Sequence, residues 1–502
     1  MKLKYYFSGH NYEYECRNAL RVFDLNIDCE IKSVEKTVEV EEIDEIDKFD
    51  NDGLRLDSIL AEEGGVALGR ACLYLNDELL FVSECKGNEI ILECENDKKL
   101  KKIVVIKAIH QVLKSYYNVT PDYGILTGVR VVKIMITARR HRKTDEEITR
   151  ILRETYEVTH EKITFLWDIL KIEENYINEE QNNYNYNLYI GIPFCPSKCI
   201  YCSFTSFTGC REEKINDYLE SLVYETEETI KMAIRRGLNL NTIYIGGGTP
   251  SILNENQINT MFAPIRKYYD LSAIKEITFE AGRPDTLTEE KLRCLRENNV
   301  NRISINPQTM NEKTLLAMER SHTVGDIIHK YEMARKIGFD CINMDIILGL
   351  PGEDETDVKR TISQVVALRP ENITVHALAY KKKSELTRES EKLHKDYDLI
   401  KKMNDVVHRE CAESGYNPYY MYRQKNIKGN SENAGFTLPG KEGIYNIVIT
   451  EELESILACG LGASSKIKTS TDRHVPVHNF KSLEEYKGRM NEILDKKKEL
   501  LK

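Results

Sequence analysis

No apolar run in the 502-residue sequence approaches the roughly 18 residues that a membrane-spanning helix requires. The amino terminus, MKLKYYFSGHNYEYE, lacks the apolar centre of an export signal. The expected compartment is therefore the cytoplasm. An excess of basic charge is also missing, because 71 Lys and Arg stand against 81 Asp and Glu, a formal net charge of −10. That balance argues against a nucleic-acid surface spread over the molecule, and against an RNA-modifying enzyme, which would need a basic module. Internal repeats and low-complexity tracts are absent, which excludes a repeat array. Cysteine is not scarce. In a long chain without an export signal the thirteen cysteines read as reduced thiols, and a close cluster among them points to metal.

The length suggests two to four units, at about 150 residues per domain. Residues 1–180 mix strand-like runs (KLKYYFSG, ACLYLN, LLFVSE, IILECE) with a helical stretch near Ile103–Tyr117 and an amphipathic region from about Asp145 to Glu174. The polar stretch EENYINEEQNNYNYN then reads as a linker. Over residues 181–390 six short β-rich runs, LYIGI, TIYIG, EITFE, RISIN, INMDIIL and NITVHAL, alternate with helical segments near 213–236, 256–268, 287–298, 325–337 and 355–368. This is the pattern of a parallel sheet. The fold class expected is α/β: a partial (β/α)6 TIM-like barrel, an α+β domain before it and a small lobe over 391–502. The residues of chemical interest follow the strands, where barrel enzymes build their sites.

In IGIPFCPSKCIYCSF, Cys195, Cys199 and Cys202 have the spacing C-x3-C-x2-C directly after a strand. One loop with that spacing can wrap an iron–sulfur cubane through three thiolates and leave one iron open to another ligand. A structural zinc site or ordinary buried thiols are the alternatives. The next strand runs into Gly246-Gly247-Gly248-Thr249-Pro250, a turn whose backbone N–H groups can approach a carboxylate or phosphate, or simply a tight turn. The strand after that ends in Glu280, placed to accept from an ammonium or hydroxyl group, or else a solvated strand-end acid.

LYIGIPFCPSKCIYCSF, IGGGTPS, EAGRPD, RISINPQTMN, MERSHT, NMDIILGLPGE and TVHALAYKKKS carry a resemblance. Residues 188–467 resemble the radical S-adenosylmethionine (SAM) branch of the oxygen-independent coproporphyrinogen III oxidases, and the whole chain resembles the HemZ-type coproporphyrinogen dehydrogenases. YYMYRQKNIKGNSENAGFTLPGKEGIYN and LGASSK resemble that type's C-terminal lobe, and DYGILTGVR its N-terminal extension. The resemblance implies a [4Fe–4S] cluster on Cys195, Cys199 and Cys202. It implies a first SAM at Tyr189, Glu280, Gln308, Arg320 and Asp345, with Tyr189 and Glu280 the candidate catalytic residues. Tyr201, Gly247, Gly248, Thr249 and Ala379 match contacts of a second SAM. Without the resemblance, Arg320 and Asp345 read as a structural ion pair. The implied reaction reduces SAM to methionine and a 5′-deoxyadenosyl radical. That radical takes hydrogen from a propionate β-carbon, and CO2 and one electron are then lost. Two propionates of coproporphyrinogen III become vinyl groups, giving protoporphyrinogen IX, with a low-potential electron donor as partner.

A tetracarboxylate tetrapyrrole calls for cations. Lys381-Lys382-Lys383, Arg423-Gln424-Lys425 and Arg283 are candidates, although such residues usually just face solvent. Arg139-Arg140-His141-Arg142-Lys143 reads as a solvated helix start. Two positions depart from the oxidase pattern: Phe204 stands where a fourth cysteine follows the third ligand, as in the related haem-carrier branch, and Gly191 stands where a histidine is found. Cys210 can replace the missing thiol or be a spare buried cysteine. His322 and His376 are candidate acid/base groups or haem ligands, or structural histidines. Two functions stay open: an oxidative decarboxylase, and a haem-binding and delivery protein that keeps the cluster.

Overall fold

The computed structural model describes residues 2–23, 28–33, 53–128, 130–202, 206–378, 397–424, 431–470 and 473–502. They form two compact units, Met1–Leu170 with Arg423–Ser431, and Lys171–Tyr422 with Glu432–Lys502. Among the described residues, no helix is long and apolar enough to cross a membrane.

The first unit holds a five-stranded sheet, ordered β2-β1-β3-β4-β5, made of β1 (Lys2–Ser8), β2 (Asp28–Ser33), β3 (Leu54–Glu63), β4 (Val66–Leu75) and β5 (Glu78–Lys86). β1 runs parallel to both neighbours, and β3, β4 and β5 form an antiparallel meander. The helix Asp97–Tyr117 packs on β4 and β5 and starts where Asn96 accepts from the Lys99 N–H. The run IILECE, expected as a strand, is irregular and precedes that cap. The basic stretch at 139–143 closes the helix Val132–Arg140 rather than opening one, and Thr144 caps the next helix in a capping box with Glu147.

The second unit contains the six expected parallel strands, β6 (Asn185–Ile192), β9 (Asn239–Gly247), β10 (Glu276–Glu280), β11 (Arg302–Ser304), β12 (Ile342–Leu348) and β13 (Asn372–Ala377), adjacent in chain order. Two short strands, β7 (Phe194–Cys195) and β8 (Phe207–Thr208), pair in the loop after β6. The connecting helices Glu212–Arg235, Glu255–Arg266, Glu289–Glu297, Val324–Ile337 and Glu355–Leu368 match the sequence expectation. The last four are capped by the side chains of Asn254, Thr288, Thr323 and Asp354.

Alternation decides which face is which. Leu188, Ile190, Ile243, Ile245, Ile277, Phe279, Ile303, Met344, Ile346, Ile373 and Val375 are buried, and each contributes about 1.5–3 kcal/mol on leaving water. The alternate positions carry polar groups linked to one another. Thr242 donates to Asn187 Oδ1 (2.6 Å), Thr374 to Asn343 Oδ1 (2.8 Å), and Asn343 to Asp345 Oδ1 (2.7 Å).

The lobe expected over 391–502 does not stand apart. β14 (Asn417–Tyr422) and β15 (Asn433–Thr437) continue the sheet beyond β13, while β16 (Ser455–Cys459), β17 (Ser464–Ser470) and β18 (Arg473–His478) continue it beyond β6. The physical reason is that β13 and β6 would otherwise expose unpaired strand edges. The first boundary likewise falls after Leu170, not at 180. The apolar run YNIVI lies in the helix Ile444–Glu451, whose first N–H groups donate to the Glu276 carboxylate (Ile444, 2.7 Å; Tyr445, 3.3 Å).

Candidate active site

The cluster loop leaves β6 at Ile192 and is pinned on both sides. β7 pairs with β8, and Gly248 and Thr249 donate their backbone N–H groups to the carbonyls of Ile192 and Phe194, both at 2.8 Å. These two N–H groups are thus used within the protein. The glycine turn is demanded by this docking: Gly247 has φ +111°, and a Cβ on Gly248 would stand 2.7 Å from the Phe194 oxygen and 3.0 Å from Cys195 Sγ. Cys195 and Cys199 are buried, Cys202 is half-buried, and all three are free thiols. The Cys202 N–H donates to the Cys199 carbonyl at 3.0 Å, closing the loop.

Among the described residues, no three His, Cys, Asp or Glu side chains converge tightly enough to hold one ion. Three thiolates and no histidine on one loop are a donor set that fits an iron–sulfur cubane, in which each thiolate binds a different iron. Cys210, half-buried two residues beyond Thr208, turns its thiol to the Thr208 carbonyl at 3.9 Å.

On β10, β12 and β13 a second group assembles. Glu280 accepts from Tyr244 Oη (2.6 Å) and from the Gly247 N–H (3.2 Å). Burial is the main cause that pushes its carboxyl up to about 7, with the neighbouring Asp345 adding to the shift against these hydrogen bonds. Asp345 Oδ2 lies 3.8 Å from His376 Nε2, and His376 Nδ1 lies 3.4 Å from Tyr422 Oη. Gln308 has φ +66°, a strained conformation for this residue, held by backbone bonds to Asp345 (2.9 Å) and Ile347 (2.9 Å). Tyr189 stacks toward Tyr244 (6.2 Å), which stacks on Tyr445 (4.4 Å).

Arg320 does not pair with Asp345. Its Nη2 donates to the carbonyls of Asn306 (2.7 Å) and Gly282 (3.4 Å), and its Nη1 faces Tyr201 Oη (3.4 Å) and Cys199 Sγ (3.8 Å). Its buried Nε has no hydrogen-bond partner among the described residues. An anionic ligand beside the cluster loop would satisfy that donor, so the residues present fit a SAM carboxylate.

Two residues expected as cations for propionates are placed otherwise. Arg283 is buried and spends its donors on Asp285 and Ser197, leaving no fork for a propionate. Arg423 is buried in the first unit, with its guanidinium 4.4 Å from the centre of the Tyr123 ring. His322 is buried, with its pKa lowered to about 4 by burial and then by Arg320, so it is a neutral imidazole at pH 7. Gly191 gives its carbonyl to Tyr218 Oη (2.5 Å), and a Cβ there would meet the Tyr189 ring at 3.3 Å. Phe204, Ala379, Lys381, Lys382, Lys383 and Lys425 lie outside the described residues. Tyr244 and Tyr445 were not singled out from the sequence. For Tyr244 the signal was available, because it alternates with Gly246 on the polar face of β9.

Comparison with known proteins shows the family. Residues 189–365 match the model of the radical SAM superfamily. The chain is 38% identical, over 77% of its length and 78% of the relative's, to the oxygen-independent coproporphyrinogen-III oxidase-like protein HemZ of Bacillus subtilis (strain 168). The chain belongs to the radical SAM family of coproporphyrinogen III oxidase-like proteins. This membership implies a [4Fe–4S] cluster and SAM as cofactors. A second relative within the superfamily is the haem chaperone HemW of Lactococcus lactis subsp. lactis (strain IL1403), 31% identical over 62% of this chain and 78% of its own. Among solved structures, the radical SAM enzyme coproporphyrinogen III oxidase (HemN) of Escherichia coli shares the fold, with a TM-score of 0.51 and 23% identity over 62% of this chain and 70% of that one.

Proposed function

We propose that the chain is an oxygen-independent, SAM-dependent decarboxylase that converts coproporphyrinogen III to protoporphyrinogen IX in haem biosynthesis. The observation that carries this reading is the likeness to HemZ, which is greater in both identity and extent than the likeness to HemW. In this proposal Cys195, Cys199 and Cys202 hold the cluster, which when bound supplies the electron that cleaves SAM. Arg320 would offer its unpartnered Nε to the carboxylate of SAM, and Gln308, whose backbone is hydrogen-bonded to Asp345, would hold the ribose together with Asp345. Glu280, ionised, accepts from the ammonium group. Together with Tyr189 on β6, these residues of β10, β12 and the segment after β11 would hold the sulfonium compound.

A second reading, haem binding and delivery, is favoured by the HemW relative and by Gly191, which replaces a histidine of the oxidase pattern with a residue closed in by Tyr189 and Tyr218. Anaerobic incubation of the reconstituted protein with SAM, a reductant and coproporphyrinogen III separates the two. Release of CO2 and 5′-deoxyadenosine in a fixed ratio is the expected result. Tight haem binding without CO2 contradicts the decarboxylase.

A further inference from the structure

Arg283 sits in the turn that follows β10, three residues after Glu280. It is only 4% exposed. Nε and Nη2 form a two-pronged pair with Asp285 (3.0 and 2.8 Å), and Nη1 donates to Ser197 at both its hydroxyl (2.8 Å) and its carbonyl (3.2 Å). Ser197 lies midway between Cys195 and Cys199 in the cluster loop. The guanidinium is therefore a strut between a rigid strand end and the loop that carries the thiolates. A lysine would supply the charge but not the fork.

On the other side of the loop, Thr249 is buried and its hydroxyl donates to Cys195 Sγ at 3.3 Å. That hydroxyl is committed to sulfur, and its N–H to Phe194, so neither donor is open to a second SAM in this arrangement. Two independent groups thus act on one short loop, one through its backbone and one through a ligand sulfur. A donor to a thiolate, and a positive charge near it, both stabilise the state with more negative charge, which for an iron–sulfur cluster is the reduced one. Asp285 offsets part of the Arg283 charge, so the hydrogen bond from Thr249 is the larger electronic effect and Arg283 acts mainly by fixing geometry.

We propose that Thr249 and Arg283 are positioning residues of the cluster loop, acting on Cys195 and Ser197, and that they raise the reduction potential of the cluster the loop holds. The proposal rests on the assignment of the three cysteines as cluster ligands.

The test uses the full chain, reconstituted without oxygen and titrated electrochemically with detection of the reduced cluster by electron paramagnetic resonance, with no SAM present. Thr249→Val, which keeps shape and removes the donor, should retain full iron and sulfide. At a fixed poise it should show a reduced-to-oxidised ratio about tenfold lower, equivalent to a midpoint ~59 mV more negative for a one-electron couple. Thr249→Ser should restore the parental midpoint. The paired change Arg283→Met with Asp285→Leu, which leaves no buried charge alone, should lower the midpoint and speed loss of iron to a chelator. Parental midpoints in both Thr249→Val and the paired variant, with cluster content intact, overturn this proposal alone. A parental chain that takes up no stoichiometric iron and sulfide overturns the cluster assignment and this proposal together.

Discussion

Glu280 shows how a single buried side chain links pH to ligand binding. Its carboxyl is raised to about 7 from an ordinary 4.5, chiefly by burial. The folded chain therefore holds the proton more tightly than the unfolded one. The stability this gives is full below pH 4.5 and is lost as pH rises through about 7. An ammonium ligand needs the carboxylate, so ligand binding works against the same burial. SAM affinity should fall about tenfold for each pH unit below about 7 and level off above it, as followed by equilibrium dialysis of the reconstituted protein. In Glu280→Gln the affinity should be weak and flat with pH. A wild-type profile flat between pH 5 and 8 would remove Glu280 from the ammonium site.

The last helix, Met490–Leu500, is anchored through one buried lysine. Lys497 is wholly buried and donates to Glu225 Oε1 (2.7 Å) and to the Ala458 carbonyl (2.7 Å). Glu225, equally buried, also accepts from Tyr486 (2.5 Å), Asn479 (2.7 Å) and the Gly460 N–H (2.8 Å). This network is joined to the cluster strand through two hydrogen bonds, since Tyr218 accepts from the Leu461 N–H (3.2 Å), next to Gly460, and donates to the Gly191 carbonyl. Lys497→Met leaves the Glu225 carboxylate buried without its cation and should cost about 3–5 kcal/mol, read from the urea midpoint. Adding Glu225→Leu should recover part of that loss. If the double variant is no more stable than the single one, the pairing is not what holds the helix.

The same elements show what the sequence could and could not reveal. The six parallel strands were legible because each is a short β-rich run, and β9, β10, β11 and β12 are each followed by a capped helix. The helix Ile444–Glu451 was not, because a short apolar run such as YNIVI has no period that separates helix from strand. Sheet continuation by β14–β18 was hidden for a related reason: pairing partners such as β6 and β16 lie far apart in the chain. The cysteine loop announced itself by spacing. The groups that brace it did not, since Thr249 and Cys195 are 54 positions apart and Arg283 and Ser197 are 86 apart. No local pattern records those contacts, so Arg283 was read as a free cation.

At the scale of the whole molecule, the parts converge on one end of a parallel sheet. β6 delivers the thiols, β9 the glycine turn that clasps their loop, β10 and β12 the two carboxylates, and the segment after β11 the arginine with an unsatisfied donor. Everything then depends on three thiolates leaving one iron available to SAM. Mössbauer spectra of protein reconstituted with iron-57, recorded with and without SAM, test this most directly. A single iron site whose isomer shift moves when SAM is added is the expected result, and spectra that SAM leaves unchanged would contradict it.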